Sequence, residues 1–462
     1  MIKKVILMSL VLSQLTISCS SDNDETKTET EIEQTLADQI ANILKQPYSS
    51  LNPADQKIKL EAEANEMLVQ LDKSKSSGAI EAMENLEKLL DISPVDVFGG
   101  KNGNKVEDIL KVADVYGIYT WSNTNKNWEK TTSTTYLKFI FPAKTNETEN
   151  NATFSAKSVS SEIKVKMTDS YGYWSYPKIG DPIYTVGVDD YFFLPLSADA
   201  TLTINNLPIA SFTQTAKYAN GKEIPTDFAY KVTLNDGYTW EMSGTKATTN
   251  TSKASFAYNG KNLVEFNAGS TAQIDALIDN PELAEYRGKA NGLIQLMDNF
   301  VIIADIDLVA ETIDDKALRD LEYPTYPSST KDPKNDYKAF YTDQNTYRRK
   351  LSEATATNFN KNIKLTLVSK KDGTKIANVI MRSERQREDN VIDLPVWNEE
   401  YEYWSSWNEG GETFTRHYFE EVYYLKFNDN TQIAMSAYFS EGFENLHTKF
   451  DDFLKNFTDR NN

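Results

Sequence analysis

Three glycine-containing dipeptides divide the middle of the chain into short segments that are rich in Tyr, Phe, Thr and Val. These dipeptides are Asn220-Gly221, Asp236-Gly237 and Asn259-Gly260. Asn-Gly and Asp-Gly pairs favour the two-residue turns of β-hairpins, because both positions of the turn accept a positive φ. The turns therefore predict four consecutive antiparallel strands, which cover 228–234, 238–243, 254–258 and 263–266.

The N-terminal part of the body has a helical pattern instead. Apolar residues recur at helical spacing in three stretches, of which the first stops before Pro47, the second begins near Pro53 and the third ends before Pro94. Ile58 belongs to the predicted apolar stripe of the second helix. The pattern predicts a small helical segment over 31–95.

The second half of the chain mixes both patterns. A helix is predicted over 290–299, and the apolar run 300–308 either extends that helix or forms a buried strand. Further predicted elements are a short helix near 274–278, a proline-containing linker at 323–336, a helix at 337–358, hairpins pairing 363–368 with 376–381 and 422–427 with 432–438, and a C-terminal helix with an apolar stripe over 443–457.

Together these patterns predict an α+β fold, with an N-terminal helical segment followed by antiparallel β-meander sheets with packed helices. A glycine-rich loop near 98–103 and the prolines of 323–336 supply the boundaries. The sequence thus predicts a β-rich domain with a helical insert over 104–322 and a C-terminal α+β domain over 336–460.

Two segments, 116–156 and 400–437, carry similar landmarks in the same order. Each has a Trp-Ser pair, then Tyr-Leu-Lys-Phe (136–139 and 424–427), and then a Ser-Ala pair. One interpretation is an internal duplication, which would make the second segment a pseudo-repeat of the first. The alternative is a chance similarity between aromatic-rich strands. A duplication requires both segments to have the same strand order.

The net charge limits which classes of partner the chain is expected to bind. Its 462 residues contain 49 Lys and Arg against 68 Asp and Glu, which gives a net charge of −19. Binding to a phosphate backbone needs clustered cations, so we expect no nucleic-acid partner. The chain has one cysteine, so an intramolecular disulfide is excluded and the core has to be stable through burial alone.

That cysteine, Cys19, ends a short apolar run (5–18) that follows Lys3 and Lys4. The order resembles a bacterial lipoprotein signal peptide, in which the cysteine becomes the acylated first residue of the mature chain. The acidic stretch that follows resembles the export tract of Bacteroidota-type surface lipoproteins. An acidic tether that is merely well solvated is the alternative for this stretch.

The resemblance implies a signal peptide over 1–18, a lipid on Cys19 and an acidic disordered tether over 19–30. It also implies a location at the outer membrane, anchored by lipid and facing the cell exterior, with the membrane as partner through the acyl chains. For the rest of the chain it implies nothing.

One aromatic cluster near the C-terminus is a candidate ligand-binding site. Exposed aromatic faces stack on sugar rings, and neighbouring acids hold the sugar hydroxyls, so the cluster is compatible with glycan binding. Aromatic residues in strands more often pack across the sheet, which is the alternative interpretation. The candidate residues are Trp397, Tyr401, Tyr403, Trp404 and Trp407.

Carboxylates and histidines give weaker indications. On a strand, Glu400 and Glu402 would share a face, and glycosidases use two carboxylates about 5–9 Å apart. Asp305 and Asp307 would also share a strand face, but calcium sites need further ligands. The two histidines of the chain, at 417 and 447, show no metal-binding spacing. We therefore assign no catalytic residue, metal or cofactor from the sequence.

The sequence favours a lipid-anchored binding or structural lipoprotein without evident catalysis, and glycan capture is one form of that function. Two alternatives stay open: a surface glycoside hydrolase or other hydrolase, and a carrier that holds a lipid or a small apolar ligand between a sheet and its helices. Glycan capture requires exposed aromatic rings, a hydrolase requires a cleft with two carboxylates, and a carrier requires an apolar cavity.

Overall fold

A computed structural model describes residues 35–73, 77–95, 97, 109–166, 173–175, 183–185, 191–280, 283–297, 299–327, 331–386, 390–405 and 411–439. Cys19, the acidic tract, Trp407 and the predicted C-terminal helix lie outside the described residues.

The helices begin near the N-terminus and return in the second half of the chain. They are α1 (Leu36–Leu44), α2 (Pro53–Lys73), α3 (Gly78–Ile92), α4 (Ile274–Asp279), α5 (Leu308–Arg319), α6 (Tyr337–Asn362) and α7 (Met435–Tyr438), with a 3-10 turn at Ala284–Tyr286.

Strands make up most of the remaining described chain. In the first half they are β1 (Gly117–Ser122), β2 (Asn127–Thr131), β3 (Leu137–Phe141), β4 (Ala152–Lys166), β5 (Tyr173–Ser175), β6 (Ile183–Thr185), β7 (Tyr191–Ile204), β8 (Leu207–Lys217), β9 (Asp227–Leu234), β10 (Tyr238–Thr245), β11 (Asn250–Tyr258) and β12 (Lys261–Ser270). In the second half they are β13 (Lys289–Leu296), β14 (Phe300–Asp307), β15 (Ile363–Ser369), β16 (Thr374–Arg385), β17 (Asn390–Asp393), β18 (Val396–Asn398), β19 (Tyr403–Ser405), β20 (Thr413–Arg416), β21 (Phe419–Lys426) and β22 (Gln432–Ala434).

Sixteen of these strands form one sheet, in the order β2-β1-β3-β4-β7-β8-β9-β10-β11-β12-β13-β14-β15-β16-β21-β22. Neighbours are antiparallel except β1 and β3, which are parallel because the hairpin partner β2 occupies the outer side of β1. Asn259 and Gly260 form a two-residue turn with φ of 49° and 75°, as a type I′ hairpin requires. The predicted α+β meander is therefore confirmed.

One face of the sheet carries an apolar row that crosses ten strands. Its members are direct cross-strand partners, so their side chains point to the same side. The row is Leu137, Ala156, Ala200, Phe212, Val232, Trp240, Phe256, Val264, Leu296 and Phe300. We call this side the helical face, because α2 and α3 pack against it.

On the helical face, each helix covers a different part of the sheet. Leu86 of α3 packs with Phe139 and other residues of the first strands, while Met67 and Leu68 of α2 pack near Leu263. In contrast to the sequence prediction, Ile58 is 63% exposed. It lies outside the stripe because the buried positions of α2 follow the spacing of Leu60, Met67 and Leu68 instead.

Helix α1 packs on the opposite face. Its Ile40 contacts the buried side chains of Leu293, Val301 and Ile303. Val301 and Ile303 alternate along β14 with Phe300 and Ile302, which belong to the helical face. Apolar residues of β14 therefore pack on both faces of the sheet, which explains the unbroken apolar run of this strand.

The predicted helix over 290–299 is wrong, because that stretch forms strand β13. All eight residues of β13 pair with β14, and seven also pair with β12. Gly292 in its centre disfavours a helix, and the flanking strands supply the hydrogen bonds that a helix would have made internally. The second predicted hairpin is shorter than expected, because helix α7 replaces its end after Ala434.

Segments 116–156 and 400–437 pair in different ways. In the first, β1 is hydrogen-bonded to β3. In the second, β19 pairs with β18 in a separate two-stranded sheet, and no pairing of β19 with β21 occurs among the described residues. The strand orders differ, so the fold gives the duplication no support. The strands on either side of the predicted linker 323–336 are adjacent in the large sheet, because β14 pairs with β15.

Beyond the sheet, β16 and β21 continue as a two-stranded extension. Gln386 N–H donates to Tyr418 O at 2.9 Å, and Leu394 N–H donates to Glu412 O at 2.9 Å. Strand β17 pairs with β20, and β18 pairs with β19. We call the described residues 390–405 and 411–418 the arm; its tip is the turn at 399–402.

Two asparagines of α6 fasten this helix to the extension. Asn360 Nδ2 donates to Met381 O at 2.7 Å, and its Oδ1 accepts from Met381 N at 2.9 Å. Asn345 makes the equivalent pair of bonds to Thr415 O and His417 N, each 2.9 Å long. The side-chain amides thus satisfy main-chain groups that have no neighbouring strand on this side.

Candidate functional sites

The two described tryptophans of the predicted aromatic cluster pack against one another. Trp397 and Trp404 are cross-strand partners, with ring centroids 5.8 Å apart at 62°. The Trp404 ring also lies edge-on to Tyr337 of α6, and its Nε1 donates to Asp332 O at 2.8 Å. Both indoles therefore hold the arm to α6 and the segment before it.

The two tyrosines of the same cluster face the solvent. Tyr401 is 64% exposed and Tyr403 is 38% exposed. Their ring centroids are 6.4 Å apart. The sequence-predicted cluster thus separates into a packed pair and an exposed pair, and Trp407 lies outside the described residues.

The carboxylates at the tip lie on a turn and not on a strand, so the predicted shared strand face of Glu400 and Glu402 is wrong. Asn398 Oδ1 accepts from the N–H groups of Glu400 and Tyr401, both at 3.0 Å, which is an Asx-type turn. Glu402 has φ of 47°, the left-handed conformation that reverses the chain. Glu399, Glu400 and Glu402 are all exposed, around the two tyrosines.

A second cluster, which the sequence did not indicate, lies where the arm joins the extension. Arg348 of α6 has its guanidinium carbon 4.5 Å from the ring centroid of Tyr418. The guanidinium carbon of Arg416 is 5.7 Å from the same ring and 5.5 Å from the ring of Tyr341. Arg416 Nη2 donates to Gln344 Oε1 at 3.2 Å. These residues come from two segments about 70 positions apart, so no local motif could reveal them.

Tyr418 of the arm and Tyr424 of β21 have opposite electrostatic surroundings. A hydrogen bond from Asn390 and the charges of Arg416 and Arg348 lower the pKa of Tyr418. The hydroxyl of Tyr424 instead donates to Glu384, and this bond raises the pKa of Tyr424. Arg382 lies 5.2 Å from the Tyr424 ring. The Tyr424 site thus has a carboxylate beside its arginine, whereas the Tyr418 site has two arginines.

The helical face holds a third candidate site in the middle of the large sheet. Beside the long apolar row runs a second one, made of Tyr230, Met242, Ala254, Phe266, Ile294 and Ile302. A third row consists of small residues: Gly244, Ser252, Ala268, Gly292 and Ala304. All of the second row except Met242 remain partly exposed.

Asp307 has a structural role. Its side chain accepts from Ala310 N at 3.1 Å as the N-cap of α5, and its carboxylate lies 3.5 Å from Lys289 Nζ. Within the described ranges, no three His, Cys, Asp or Glu side chains come together as ligands for a metal ion. In the same part of the chain, none of the helices combines the length and the hydropathy needed to cross a bilayer.

Comparisons with protein-family models, curated proteins and solved structures found no match to this chain.

Proposed function

We propose that the protein is a lipid-anchored binding protein of the cell surface and that the tip of its arm captures glycans. The observation that carries this proposal is the exposed pair Tyr401 and Tyr403 at the tip of the arm. Exposed aromatic rings are available to stack on the apolar face of a sugar. The three glutamates of the turn are acceptors for sugar hydroxyls.

The position of the site fits its proposed role. The arm is held rigidly at its base by Asn345 and at its tip by the Trp397–Trp404 pair. A site on a fixed scaffold loses less conformational entropy when a ligand binds. Because the tip carboxylates are exposed and lie on a turn, we do not propose hydrolysis at this position.

Glycan arrays followed by calorimetry on the mature lipoprotein in detergent micelles test this proposal. The double change Tyr401→Ala and Tyr403→Ala removes both rings, and we expect it to weaken the bound oligosaccharide about tenfold, since each aromatic contact contributes ~0.5–1.5 kcal/mol. Phe193→Ala is the matched control, because Phe193 is 40% exposed on the distant strand β7. Equal affinity of the double variant and the control would refute the assignment.

The helical face supports a second candidate function, the binding of an apolar ligand. The side chains of the third row are small, and the apolar row beside it is partly exposed except at Met242. Ala268→Leu adds a branched side chain to the small row. If an acyl chain binds there, this change should reduce the uptake of a fluorescent fatty acid, and Ser255→Leu on the opposite face should leave uptake unchanged.

A further inference from the structure

The cluster at the base of the arm contains two arginines that have no carboxylate partner among the residues that the structure describes. Arg348 and Arg416 both lie over Tyr418. Among the described residues, the polar partners of these two guanidinium groups are neutral groups: the Gln344 amide for Arg416, and the Tyr418 phenol for Arg348. In a chain of net charge −19, a pair of cations without an acidic partner in the described part of the chain is unexpected.

Each arginine also has a hydrogen-bond donor without an acceptor. Arg348 Nη1 and Arg416 Nε are shielded from solvent, and neither has a partner among the described residues. A buried donor that is left unsatisfied costs about 1–3 kcal/mol, and more when the group is charged. The flat face of each guanidinium group stacks on tyrosine, while its N–H groups point outward in the plane of the group and make its hydrogen bonds. The N–H groups at Arg348 Nη1 and Arg416 Nε are therefore the donors that lack a described acceptor.

We propose that Arg348 and Arg416 form a binding site for an oxyanion group, namely a carboxylate, sulfate or phosphate. Guanidinium groups bind such oxyanions through paired N–H donors, and the guanidinium carbons of these two arginines lie 4.5 Å and 5.7 Å from the centroid of the Tyr418 ring. The anion supplies the missing acceptors and the missing negative charge together. Aromatic stacking fixes both side chains in advance, which reduces the entropy lost on binding.

This site is separate from the tip of the arm. Arg416 pairs with Asn390 of β17, whereas the tip turn begins after Asn398 of β18, eight residues further along the chain. At about 3.3 Å per residue, this stretch of chain spans at most about 26 Å. The proposal therefore does not depend on glycan capture, and either site can bind without the other.

Calorimetric titration of the mature lipoprotein at constant ionic strength tests the proposal with three probes: inorganic phosphate, inorganic sulfate and glucuronate. We expect saturable binding of at least one probe at one site per chain. Preference for glucuronate would identify an acidic sugar as the source of the anion, and preference for phosphate or sulfate would identify a free or esterified inorganic group. Absence of saturable binding for all three would overturn the proposal.

The variants Arg348→Gln and Arg416→Gln should each weaken binding at least tenfold. Arg382→Gln is the matched control, because Arg382 also stacks on a tyrosine but has Glu384 beside that ring. A similar loss in the control would indicate a nonspecific effect of charge and would overturn the assignment. Arg416→Lys keeps the charge without the paired donors, and we expect an intermediate affinity.

A measurement on the protein without substitutions tests the same site and cannot be affected by misfolding of a variant. With arginine labelled by nitrogen-15, the Nε–H signal of Arg416 should move progressively as the anion is added, because this donor gains an acceptor. The Nε–H signal of Arg382 should stay in place. Equal shifts of both signals, or no shift of Arg416, would contradict the site.

Discussion

At the scale of single residues, burial changes the proton affinity of tyrosines in the large sheet and its connecting loops. It raises the pKa of Tyr218 and of Tyr230 to about 12, and it raises the pKa of Tyr238 as well. The unfolded chain has a tyrosine pKa of about 10. Because the pKa of these tyrosines is higher in the folded state, their protonated form favours folding. Their contribution to the free energy of unfolding is complete below pH 10 and is lost as the pH rises through 12.

The free energy of unfolding should therefore be nearly constant from pH 8 to 9.5 and should fall between pH 10 and 12. Tyr230→Phe removes one titrating group, so its stability should decline less steeply over this range. Urea unfolding at a series of pH values measures the slope. Tyr401→Phe is the control, because Tyr401 is exposed; a slope for Tyr230→Phe equal to that of the control would contradict the prediction.

Gly288 and Gly292 differ in how well their positions tolerate a side chain. Gly288 has φ of 63°, and an added Cβ would lie 2.5 Å from Thr271 Oγ1 and 2.7 Å from the Thr271 carbonyl carbon. Gly292 has ordinary backbone angles, and its added Cβ would meet nothing closer than 3.7 Å. Gly288→Ala should thus destabilise the fold by about 1–3 kcal/mol, whereas Gly292→Ala should change stability by only a few tenths of a kcal/mol.

Thermal or urea unfolding of both alanine variants checks this contrast. Equal effects would mean that the loop at Gly288 relaxes around the added methyl group.

At the scale of elements, a side chain of α6 makes the main-chain hydrogen bonds that a neighbouring strand would otherwise make with β16. The pairing of β15 with β16 ends at Val379, so Met381 has a free edge on that side. Asn360 occupies this edge with both of its amide groups. A helix side chain thus protects a sheet edge that would otherwise be open to another strand.

Asn360→Ala should leave two buried main-chain groups without partners and destabilise the protein by about 1–3 kcal/mol. The amide hydrogen of Met381 should also exchange faster with solvent. Thr357→Ala is a control on the same helix, because Thr357 is exposed and bonds only within α6. Unchanged exchange at Met381 in Asn360→Ala would show that the asparagine does not protect this edge.

Several elements were predicted correctly from local sequence patterns, and the elements that were predicted wrongly share one cause. The strands around Asn259-Gly260 and the helix that begins at Tyr337 were predicted because their turns and caps are local. β13 and the turn at 399–402 were not, because pairing between strands and a side-chain bond from Asn398 decide them. Local periodicity contains no information about such partners.

At the scale of the whole molecule, the sheet is assembled mainly from neighbours in sequence. From β7 to β16 each strand pairs with the next strand of the chain. Two helical segments interrupt this meander, one before β13 and one before β15, without changing the strand order. Helix α1 packs on the face opposite α2 and α3, so the sheet carries helices on both of its faces.

The proposed lipid anchor gives a prediction for the complete protein. Cys19→Ser should move the protein from the membrane fraction to the aqueous fraction, because the proposal makes the Cys19 thiol the acceptor of the lipid. Cell fractionation and mass spectrometry of the N-terminal peptide measure this change. Ser20→Ala is the control, and membrane association of Cys19→Ser equal to that of the control would refute the anchor.

The sequence by itself determined the fold class, the order of most helices and hairpins, and the candidate residues at the tip of the arm. Turn dipeptides, caps and periodicity act over a few residues, so they can be read without knowing the fold. Only the tertiary structure decided which aromatic rings face the solvent, as Trp404 packs on Tyr337 while Tyr401 does not. It alone brought Arg348 and Arg416 to the same ring, because long-range packing is set by the whole chain.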